Sequence, residues 1–198
     1  MSDRGGRSDP AEAGWQSSGW LDQARHVPSP NFDTRPARTP VDLVVIHSIS
    51  LPPGEYGGDA IERLFTNRLD AAAHPYFETI RGLRVSSHFL ILRDGALCQF
   101  VGCDARAWHA GRSVWRGRAD CNDYSVGVEL EGLEGGLFEA AQYTRLAALL
   151  RRVAGRYPVR SVAGHEHVAP GRKHDPGAAF DWPLLRRLTD GAPFEFAA

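Results

Sequence analysis

A short segment near the C-terminus, residues 164–177, concentrates the reactive side chains of this chain. It contains three histidines, two carboxylates and a lysine, and it is bounded and interrupted by glycine and proline. Because glycine and proline break helices and strands, the segment is predicted to be a loop. Imidazole and carboxylate are good ligands for zinc, and a catalytic zinc site has three protein ligands and one open position. We therefore expect this loop to supply some, but not all, of the ligands of a metal site.

The remaining ligand is expected at the end of a buried strand far away in the sequence. Residues 43–46 are apolar and mostly β-branched, a pattern typical of a central strand that is covered on both faces. His47 follows directly, and residues 48–58 then form a loop at the carboxyl end of that strand. Taken alone, a histidine in this position is more often a hydrogen-bonded core residue than a metal ligand. Its combination with a histidine-rich loop favours the ligand interpretation.

Strands and helices are predicted to alternate along the rest of the chain. Apolar runs and period-two alternation predict strands at residues 87–92, 97–101, 124–131 and 159–163, and helical periodicity predicts helices at 59–69, 139–157 and 181–188. Asp94-Gly95, between the first two of these strands, is a hairpin signal. Strands interleaved with helices, plus one hairpin, predict an α/β chain of the α+β type with a central mixed β-sheet flanked by helices.

The strand at residues 124–131 carries the candidate general base. Its alternation places Val126, Val128 and Leu130 on one face and Ser125, Gly127, Glu129 and Glu131 on the other. If the polar face points at a metal, Glu129 could take a proton from water and pass it to a leaving amine. The alternative is that both glutamates of this face are simply solvated carboxylates.

Composition excludes several classes of partner. The chain has 198 residues, of which 42% are hydrophobic, and a net charge of −1, so we expect a single globular domain that binds no nucleic acid. It holds no apolar run long enough to span a membrane, and no membrane partner is expected. Residues 1–10 lack the apolar core of a signal peptide, and the three cysteines form no C-x-x-C pair. Together these features predict a cytoplasmic protein with reduced thiols.

The two ends of the chain are predicted to lie outside the folded domain. Residues 1–18 are rich in glycine, serine, aspartate and alanine, which predicts a disordered N-terminal tail. The folded domain is expected at residues 19–190, and residues 191–198 are expected to form a C-terminal tail. The sequence makes no prediction about the oligomeric state.

Five segments of the chain resemble, in the same order, motifs of a known enzyme family. They are residues 45–54 (VIHSISLPPG), 85–89 (VSSHF), 106–111 (RAWHAG), 121–132 (CNDYSVGVELEG) and 164–177 (GHEHVAPGRKHDPG), the last followed by Phe180-Asp181-Trp182. No single segment is specific, but together they span roughly residues 19–188 and are highly specific. The chain thus resembles the zinc-dependent N-acetylmuramoyl-L-alanine amidases, and among them the cytoplasmic 1,6-anhydro-N-acetylmuramyl-L-alanine amidases of the AmpD type.

This resemblance implies a fold, a reaction and a partner. The implied fold is that of peptidoglycan-recognition proteins and phage amidase-type lysozymes, in which a mixed sheet carries zinc at one edge. The implied reaction is zinc-dependent hydrolysis of the amide bond between the lactyl group of (1,6-anhydro)-N-acetylmuramic acid and L-alanine of the stem peptide, during peptidoglycan recycling. The expected cofactor is therefore Zn²⁺, and the expected partner is a muropeptide.

The resemblance also implies roles for individual residues. It gives zinc binding to His47, His165 and Asp175, catalysis to Glu129 and Lys173, and muropeptide binding to Trp108, Arg84 and Ser48. An aspartate among the ligands leaves a bound zinc ion with one positive charge, so the ion remains a useful Lewis acid. A lysine two residues before that aspartate could stabilise the developing oxyanion.

Three positions depart from the family pattern. Ser48 stands where asparagine is expected, so one hydrogen bond to substrate is expected to differ. Ser87 replaces a usual alanine. His174 replaces a usual threonine beside Asp175, which leaves open which imidazole or carboxylate of the loop binds metal.

Several assignments have a structural alternative. Lys173 could pair with a surface acid, Trp108 could be a core residue, and Arg84 could be a solvated loop charge. Four further histidines, at positions 88, 109, 167 and 174, are expected to pack, to form hydrogen bonds or to be exposed rather than to bind zinc. Two other functions fit the same resemblance, namely a non-catalytic muropeptide-binding module and a zinc amidase that acts on intact murein.

Overall fold

A computed structural model describes residues 14–197 of the chain. The strands in this range are β1 (Arg25–His26), β2 (Phe32–Thr34), β3 (Leu43–Ile49), β4 (Phe89–Ile91), β5 (Leu97–Gln99), β6 (Ala105–Ala107), β7 (Val114–Trp115), β8 (Arg118–Ala119), β9 (Ser125–Glu131), β10 (Ser161–Gly164) and β11 (Glu195–Phe196). The α-helices are α1 (Ala60–Phe65), α2 (Pro75–Thr79), α3 (Ala140–Arg156), α4 (His165–Val168) and α5 (Trp182–Leu188). None of these helices is long and apolar enough to cross a membrane.

The main sheet has the strand order β1-β5-β4-β9-β3-β10-β11. Its β4 and β5 pair antiparallel through the hairpin predicted at Asp94-Gly95, and the other neighbouring strands pair parallel. Two small antiparallel ribbons, β2 with β6 and β7 with β8, lie outside it. The predicted central mixed sheet flanked by helices is therefore confirmed.

One face of the sheet is covered by α3. The inward residues of this face and the apolar stripe of α3 belong to one buried cluster, which includes Val44, Ile46, Val126, Val128, Leu130, Leu146, Leu149, Leu150 and Val153. The helix begins where the side chain of Gln142 accepts a hydrogen bond from the backbone N–H of Glu139, at 3.0 Å, in a capping box. Gln142 also donates to the carbonyl of Glu131, which ties the helix to the end of β9.

The opposite face of the same strands carries the reactive side chains. Near the start of β3 this face is apolar, and Leu43 and Val45 pack there in a small buried cluster with Tyr124. Further along, toward the carboxyl ends of β3 and β9, the alternation of a strand brings His47 and Glu129 to the same side. The site therefore lies at the edge of the sheet that the carboxyl ends of its central strands form.

Helices α1 and α2 form a wall beside this region. Leu90 of β4 is the register partner of Glu129 and points to the same face. It packs in a second apolar cluster with Leu64 and Phe65 of α1 and Phe77 of α2. Helix α1 ends four residues before the predicted limit at residue 69, because the chain turns at Asn67, whose φ of 58° is left-handed.

The predicted loop at residues 164–177 begins with one helical turn, α4, so the prediction of a segment without helix was wrong in its first residues. A histidine side chain stabilises the start of this helical turn, since Nδ1 of His167 accepts a hydrogen bond from the backbone N–H of Gly164 at 2.9 Å. The remainder folds back on this turn, because the N–H of Glu166 donates to the carbonyl of Asp175 at 2.9 Å. The segment is thereby closed on itself rather than extended into solvent.

The chain ends differ from the predicted tails. Residues 191–198 were predicted as a tail, but they contain β11, and directly after it the N–H of Ala197 donates to the carbonyl of Val162 at 3.0 Å. Glycine and proline around this short strand hid it from pattern analysis. Residues 1–13 of the predicted N-terminal tail lie outside the described residues, whereas Trp15 packs edge-on against Tyr157 with ring centroids 6.0 Å apart.

Candidate metal centre and its cavity

Three potential ligand atoms converge at the carboxyl end of β3. Nδ1 of His47 lies 2.9 Å from Nδ1 of His165, and Oδ2 of Asp175 lies 3.1 Å from each of these nitrogens. His47 comes from β3, His165 is the first residue of α4, and Asp175 closes the loop after it. The structure thus brings together three residues that are far apart in sequence and that the resemblance had named as zinc ligands.

The partners of the two rings leave their Nδ1 lone pairs free. Nε2 of His165 lies 3.0 Å from the carbonyl oxygen of Ala110, which can only accept, so the proton of that ring is on Nε2. His47 has a partner at its own Nε2, since Nδ1 of His109 lies 2.9 Å away. Both Nδ1 atoms can therefore point lone pairs at the same place as the carboxylate of Asp175.

This donor set fits zinc. Two imidazoles and one carboxylate, with a fourth side left open, are a familiar ligand set of catalytic zinc. Bonds of about 2.0–2.1 Å in a tetrahedral site separate neighbouring ligand atoms by about 3.3 Å, close to the 2.9 and 3.1 Å found here. Three atoms with lone pairs at such distances repel one another unless a proton or a cation lies between them. Among the described residues, these three form the metal-compatible group of histidine, cysteine, aspartate and glutamate.

The electrostatics of the site favour the protonation states that metal binding needs. Burial and the neighbouring ring of His165 lower the pKa of His47 to about 4, so this ring is neutral at pH 7. Burial alone would raise the pKa of Asp175, but the two imidazoles beside its carboxylate, His165 and His47, outweigh burial and hold that pKa well below its usual range. A neutral imidazole and an ionised carboxylate are the ligand forms that bind zinc.

Glu129 lies beside this cluster with an unused acceptor. Its side chain lines the same cavity, the residue is 9% exposed, and its Oε2 has no hydrogen-bond partner within the described part of the chain. Burial, reinforced by the negative charge of Asp175 and opposed by Lys173, raises the pKa of Glu129 well above its usual value. A buried carboxylate with a raised pKa can both accept and return a proton near neutral pH.

Lys173 lies on the rim of the same cavity. The residue is exposed, lines the cavity, and is near enough for its charge to act on both Glu129 and His47. Its backbone N–H donates to the carbonyl of Ala169 at 3.1 Å, which holds this part of the loop in a turn. The arrangement places an ammonium group beside the cluster rather than within it.

The cavity has a volume of about 550 Å³. Ser48 and Trp108 line it, as expected for residues that contact a ligand. The indole N–H of Trp108 donates to Oδ2 of Asp33 at 2.7 Å, which fixes the ring at the wall. The rest of the wall near α1 and α2 is apolar and includes Leu51, Leu64, Phe65, Tyr76, Ile80, Leu83 and Val85. The cavity therefore combines a polar floor with an apolar side.

Arg84 is not part of this cavity. It is exposed and lines a neighbouring cavity of about 370 Å³, which is separated from the first by Leu64, Ile80 and Leu83, residues that line both. An extended ligand could reach it across that shared wall. The structure thus brings Trp108 and Ser48 to the cavity of the candidate metal centre but leaves Arg84 outside its immediate surroundings.

The other histidines do not join the ligand cluster. His174 is exposed, and the ring of His167 packs against Trp182 with centroids 5.5 Å apart. Nδ1 of His88 accepts a hydrogen bond from the N–H of Gly127 at 3.0 Å, so His88 supports β9. His109 was expected only to pack or form hydrogen bonds near the groove, and its direct contact with His47 was not foreseen. No periodic pattern links these two positions, because they meet only through the tertiary fold.

Comparisons with known proteins agree with the observed fold. The model of the family described as N-acetylmuramoyl-L-alanine amidase matches residues 37–178. The 1,6-anhydro-N-acetylmuramyl-L-alanine amidase AmpD of Escherichia coli (strain K12) is 52% identical over 172 residues, which cover 86% of this chain and 94% of that protein.

Solved structures extend the similarity to three dimensions. A crystal structure of a selenomethionine derivative of AmpD has a TM-score of 0.82 and 49% identity, and the match covers 88% of this chain and 98% of that one. The E. coli amidase AmiD, solved with the substrate anhydro-N-acetylmuramic acid-L-Ala-D-γ-Glu-L-Lys, has a TM-score of 0.56 and 28% identity, with coverage of 90% and 66%. Because the family model spans most of the chain and the AmpD identity extends over nearly all of the folded part, this chain belongs to the N-acetylmuramoyl-L-alanine amidase family.

Proposed function

We propose that this chain is a zinc amidase of peptidoglycan recycling. It hydrolyses the amide bond between the lactyl group of (1,6-anhydro)-N-acetylmuramic acid and the L-alanine of the stem peptide. The observation that carries the proposal is the convergence of His47, His165 and Asp175 next to the buried carboxylate of Glu129. Membership of the amidase family supports the reaction class.

Support for the substrate comes from the relatives and from the cavity. The E. coli relative that is 52% identical is named as a 1,6-anhydro-N-acetylmuramyl-L-alanine amidase, and the AmiD structure holds an anhydromuramyl peptide. A cavity of about 550 Å³ is within the range of small-molecule sites. Its mixture of apolar wall and polar floor suits a ligand that carries a sugar ring, a lactyl methyl group and peptide bonds.

An amide resists hydrolysis because water is a weak nucleophile and because charge builds up on the carbonyl oxygen. Zinc bound by His47, His165 and Asp175 would lower the pKa of the attacking water to about 7 and polarise the carbonyl group. The residues of the chain supply the rest of the chemistry. His47 and His165 keep their Nδ1 lone pairs directed at one point, and the cavity holds the amide beside it.

Glu129 is the proposed general base and then general acid. Its Oε2 is buried and without a hydrogen-bond partner among the described residues, so it is available to take the proton of the attacking water. The raised pKa of Glu129 favours its protonated form compared with an ordinary carboxyl group. The same carboxyl group can therefore return the proton to the leaving nitrogen of L-alanine.

Lys173 and the cavity wall complete the proposed site. Lys173 lines the cavity as a cation, and an ammonium group beside the carbonyl oxygen stabilises the charge that develops there. Trp108, held by Asp33, offers a flat face to the sugar or the peptide. Ser48 is shorter than the asparagine typical of the family and is proposed to contact substrate through a single hydroxyl. Arg84, one cavity away, is proposed to contact only the far part of the stem peptide.

The proposed compartment is the cytoplasm. Cys98, Cys103 and Cys121 are all free and buried, which suits a reducing environment.

The direct test is a cleavage assay with defined muropeptides. Zinc-loaded protein is incubated with anhydro-N-acetylmuramic acid-L-Ala-D-γ-Glu-L-Lys, and released peptide is detected by mass spectrometry. A parallel reaction contains the same peptide on N-acetylmuramic acid without the anhydro bridge, and a third contains intact murein. Release of the tripeptide from the first substrate supports the proposal. Tight binding without release would identify a muropeptide-binding module, and preferential release from murein would identify a wall-degrading amidase.

A further inference from the structure

A chain of hydrogen bonds leads from a backbone carbonyl to the far side of the His47 ring. Oγ of Ser125 lies 2.6 Å from the carbonyl oxygen of Cys121 and 3.1 Å from Nε2 of His109. Nδ1 of His109 lies 2.9 Å from Nε2 of His47. Neither Ser125 nor His109 belongs to the group of proposed metal ligands. This series of hydrogen bonds therefore lies behind the proposed ligand His47, on the side of its ring that faces away from Asp175.

The direction of every hydrogen bond in this series follows from the bond between Ser125 and Cys121. A carbonyl oxygen can only accept, so the single hydroxyl proton of Ser125 is donated to Cys121. Ser125 is then an acceptor for His109, whose ring proton must be on Nε2. A neutral imidazole has one N–H, so Nδ1 of His109 accepts and the proton of His47 is on Nε2.

We propose that His109, backed by Ser125, is a positioning residue that holds His47 in the tautomer needed to bind metal through Nδ1. The inference rests on the zinc site proposed above and assigns no contact between His109 and the substrate. It adds to that site a group that acts through His47. Residues behind a ligand fix its ring orientation and tautomer in many metal sites, and their loss weakens metal binding.

The hydrogen bond to His109 disfavours an alternative tautomer of His47, in which the proton is on Nδ1. Nδ1 of His47 lies only 3.1 Å from the carboxylate of Asp175. If the His47 proton moved to Nδ1, it would be donated to that carboxylate, and the metal-free site would satisfy itself without a cation. An acceptor at Nε2 favours the other tautomer. His109 is therefore expected to keep the site open to metal.

The ring of His109 is held by its surroundings as well as by its hydrogen bonds. It stands nearly perpendicular to the ring of His47, at 87° with centroids 5.0 Å apart. Gly127 of β9 lies against its other side, and a Cβ at that position would come within 2.5 Å of Cγ of His109. The amide oxygen of Asn122 accepts from the backbone N–H of Ala110 at 2.8 Å and fixes the following peptide. These contacts leave little freedom for another orientation of the ring.

The test compares two polar replacements of similar size. In His109→Asn, Oδ1 takes roughly the place of Nδ1 and can still accept from His47. In His109→Gln, the amide reaches toward Ser125 instead, so the acceptor beside His47 is lost. His109→Leu removes both bonds, and His74→Leu is a control that removes a histidine whose Nδ1 accepts a backbone hydrogen bond from Tyr76 elsewhere in the fold. Zn²⁺ affinity is measured by competition with a chromophoric chelator, and thermal unfolding of each metal-free variant reports its folding.

The expected order of affinity follows from the hydrogen bonds. His109→Gln and His109→Leu should bind Zn²⁺ about 10–100-fold more weakly than the wild type. His109→Asn should stay within about threefold of the wild type, as should His74→Leu. Equal affinity in the Asn and Gln variants would overturn the inference, as would unchanged affinity in the Leu variant. If the wild-type protein itself bound no Zn²⁺, the proposed zinc amidase function would fail. That outcome is distinguishable from a failure of the role proposed for His109, in which the wild type still binds Zn²⁺.

A second measurement reads the tautomer itself. Two-bond ¹⁵N–¹H couplings of the imidazoles in metal-free wild-type protein should place the His47 proton on Nε2 and the His109 proton on Nε2. In His109→Gln the His47 proton should move to Nδ1. A wild-type spectrum with the His47 proton on Nδ1 would overturn the inference even if a variant failed to fold.

Discussion

His47 and Glu129 are register partners on the adjacent parallel strands β3 and β9. Neighbouring parallel strands point register partners to the same face, so a residue at the end of β3 that binds metal has a carboxylate of β9 beside it. Sheet geometry, rather than a flexible loop, therefore sets the distance between the proposed ligand and the proposed base. Only the other two ligands depend on the loop after β10.

The first prediction concerns Asp175, which the loop after β10 supplies. Asp175→Ala should lose most bound zinc, because it removes the only carboxylate of the three-residue cluster. His174→Ala is the matched control, since His174 is the exposed neighbour of Asp175 and lies outside the cluster. Zinc per protein is measured by inductively coupled plasma mass spectrometry after gel filtration. Full zinc content in the Asp175 variant, or its loss in the His174 variant, would show that the ligands are assigned wrongly.

Glu129→Gln should retain zinc and lose about 10²–10⁴ in kcat, the usual contribution of a general acid–base group. Glu131→Gln is the control on the same strand face. The carboxylate of Glu131 accepts hydrogen bonds from the backbone N–H groups of Gly57 and Arg93, so its role is structural. Its variant should lose stability but stay within a few-fold of wild-type turnover, measured as peptide release. Near-normal turnover in Glu129→Gln would remove that residue from the mechanism.

The raised pKa of Glu129 also predicts how stability depends on pH in the metal-free protein. The unfolded chain releases this proton near pH 4.5, whereas burial in the folded state keeps it bound to a higher pH. Between those two values the folded state holds more protons than the unfolded state, so the free energy of unfolding falls as pH rises. Gln at this position cannot ionise. The stability of Glu129→Gln relative to wild type should therefore increase as the pH rises above about 4.5.

Urea unfolding in the presence of EDTA at several pH values measures this difference. A difference between the two proteins that does not change with pH would mean that the Glu129 carboxyl ionises in the folded state as it does in the unfolded chain. Because both proteins share every other titrating group, their common pH dependence cancels in the comparison.

Trp108 should contribute to substrate binding rather than to chemistry. Trp108→Ala removes the flat wall of the cavity and should raise KM roughly tenfold with a smaller change in kcat, in line with the energy of one aromatic contact. Trp108→Phe keeps a ring but loses the hydrogen bond to Asp33, and its KM should lie between those of wild type and Trp108→Ala. Steady-state kinetics with the anhydromuramyl tripeptide measure both constants. An unchanged KM in Trp108→Ala would show that the residue does not contribute to substrate binding.

Sequence patterns were sufficient for the parts of the molecule that depend on local periodicity. The buried run at residues 43–46, the alternation at 124–131 and the stripe of 139–157 predicted β3, β9 and α3, and these three elements pack together in one buried cluster. The patterns failed where pairing is decided at long range. The short strand β11 and the helical turn α4 owe their form to partners that local composition does not show.

Local patterns likewise predicted some features of the candidate site and missed others. The alternation of β9 indicated that Glu129 shares a face with Ser125 and Gly127, and the structure has this arrangement. The meeting of those residues with His109 could not be predicted, since it depends on how the segment after β6 crosses β9. The position of Arg84 outside the cavity of the candidate metal centre also depends on the tertiary fold and could not be predicted from local patterns.

Gly127 offers the last prediction, because its missing side chain is what makes room for His109. In Gly127→Ala the new Cβ would come within 2.5 Å of the imidazole, so either the ring or β9 must move. Such overpacking typically costs about 1–3 kcal/mol, and the displaced ring should also weaken zinc binding.

Gly155→Ala is the control, since Gly155 lies in α3 and a Cβ there meets nothing within 4 Å. Alanine is favoured over glycine in a helix by roughly 0.5–1 kcal/mol, so this variant should be more stable than wild type with unchanged zinc affinity. Thermal unfolding and chelator competition measure both quantities for the pair. If Gly127→Ala were as stable as wild type and bound zinc equally well, the contact between Gly127 and His109 would not constrain the site.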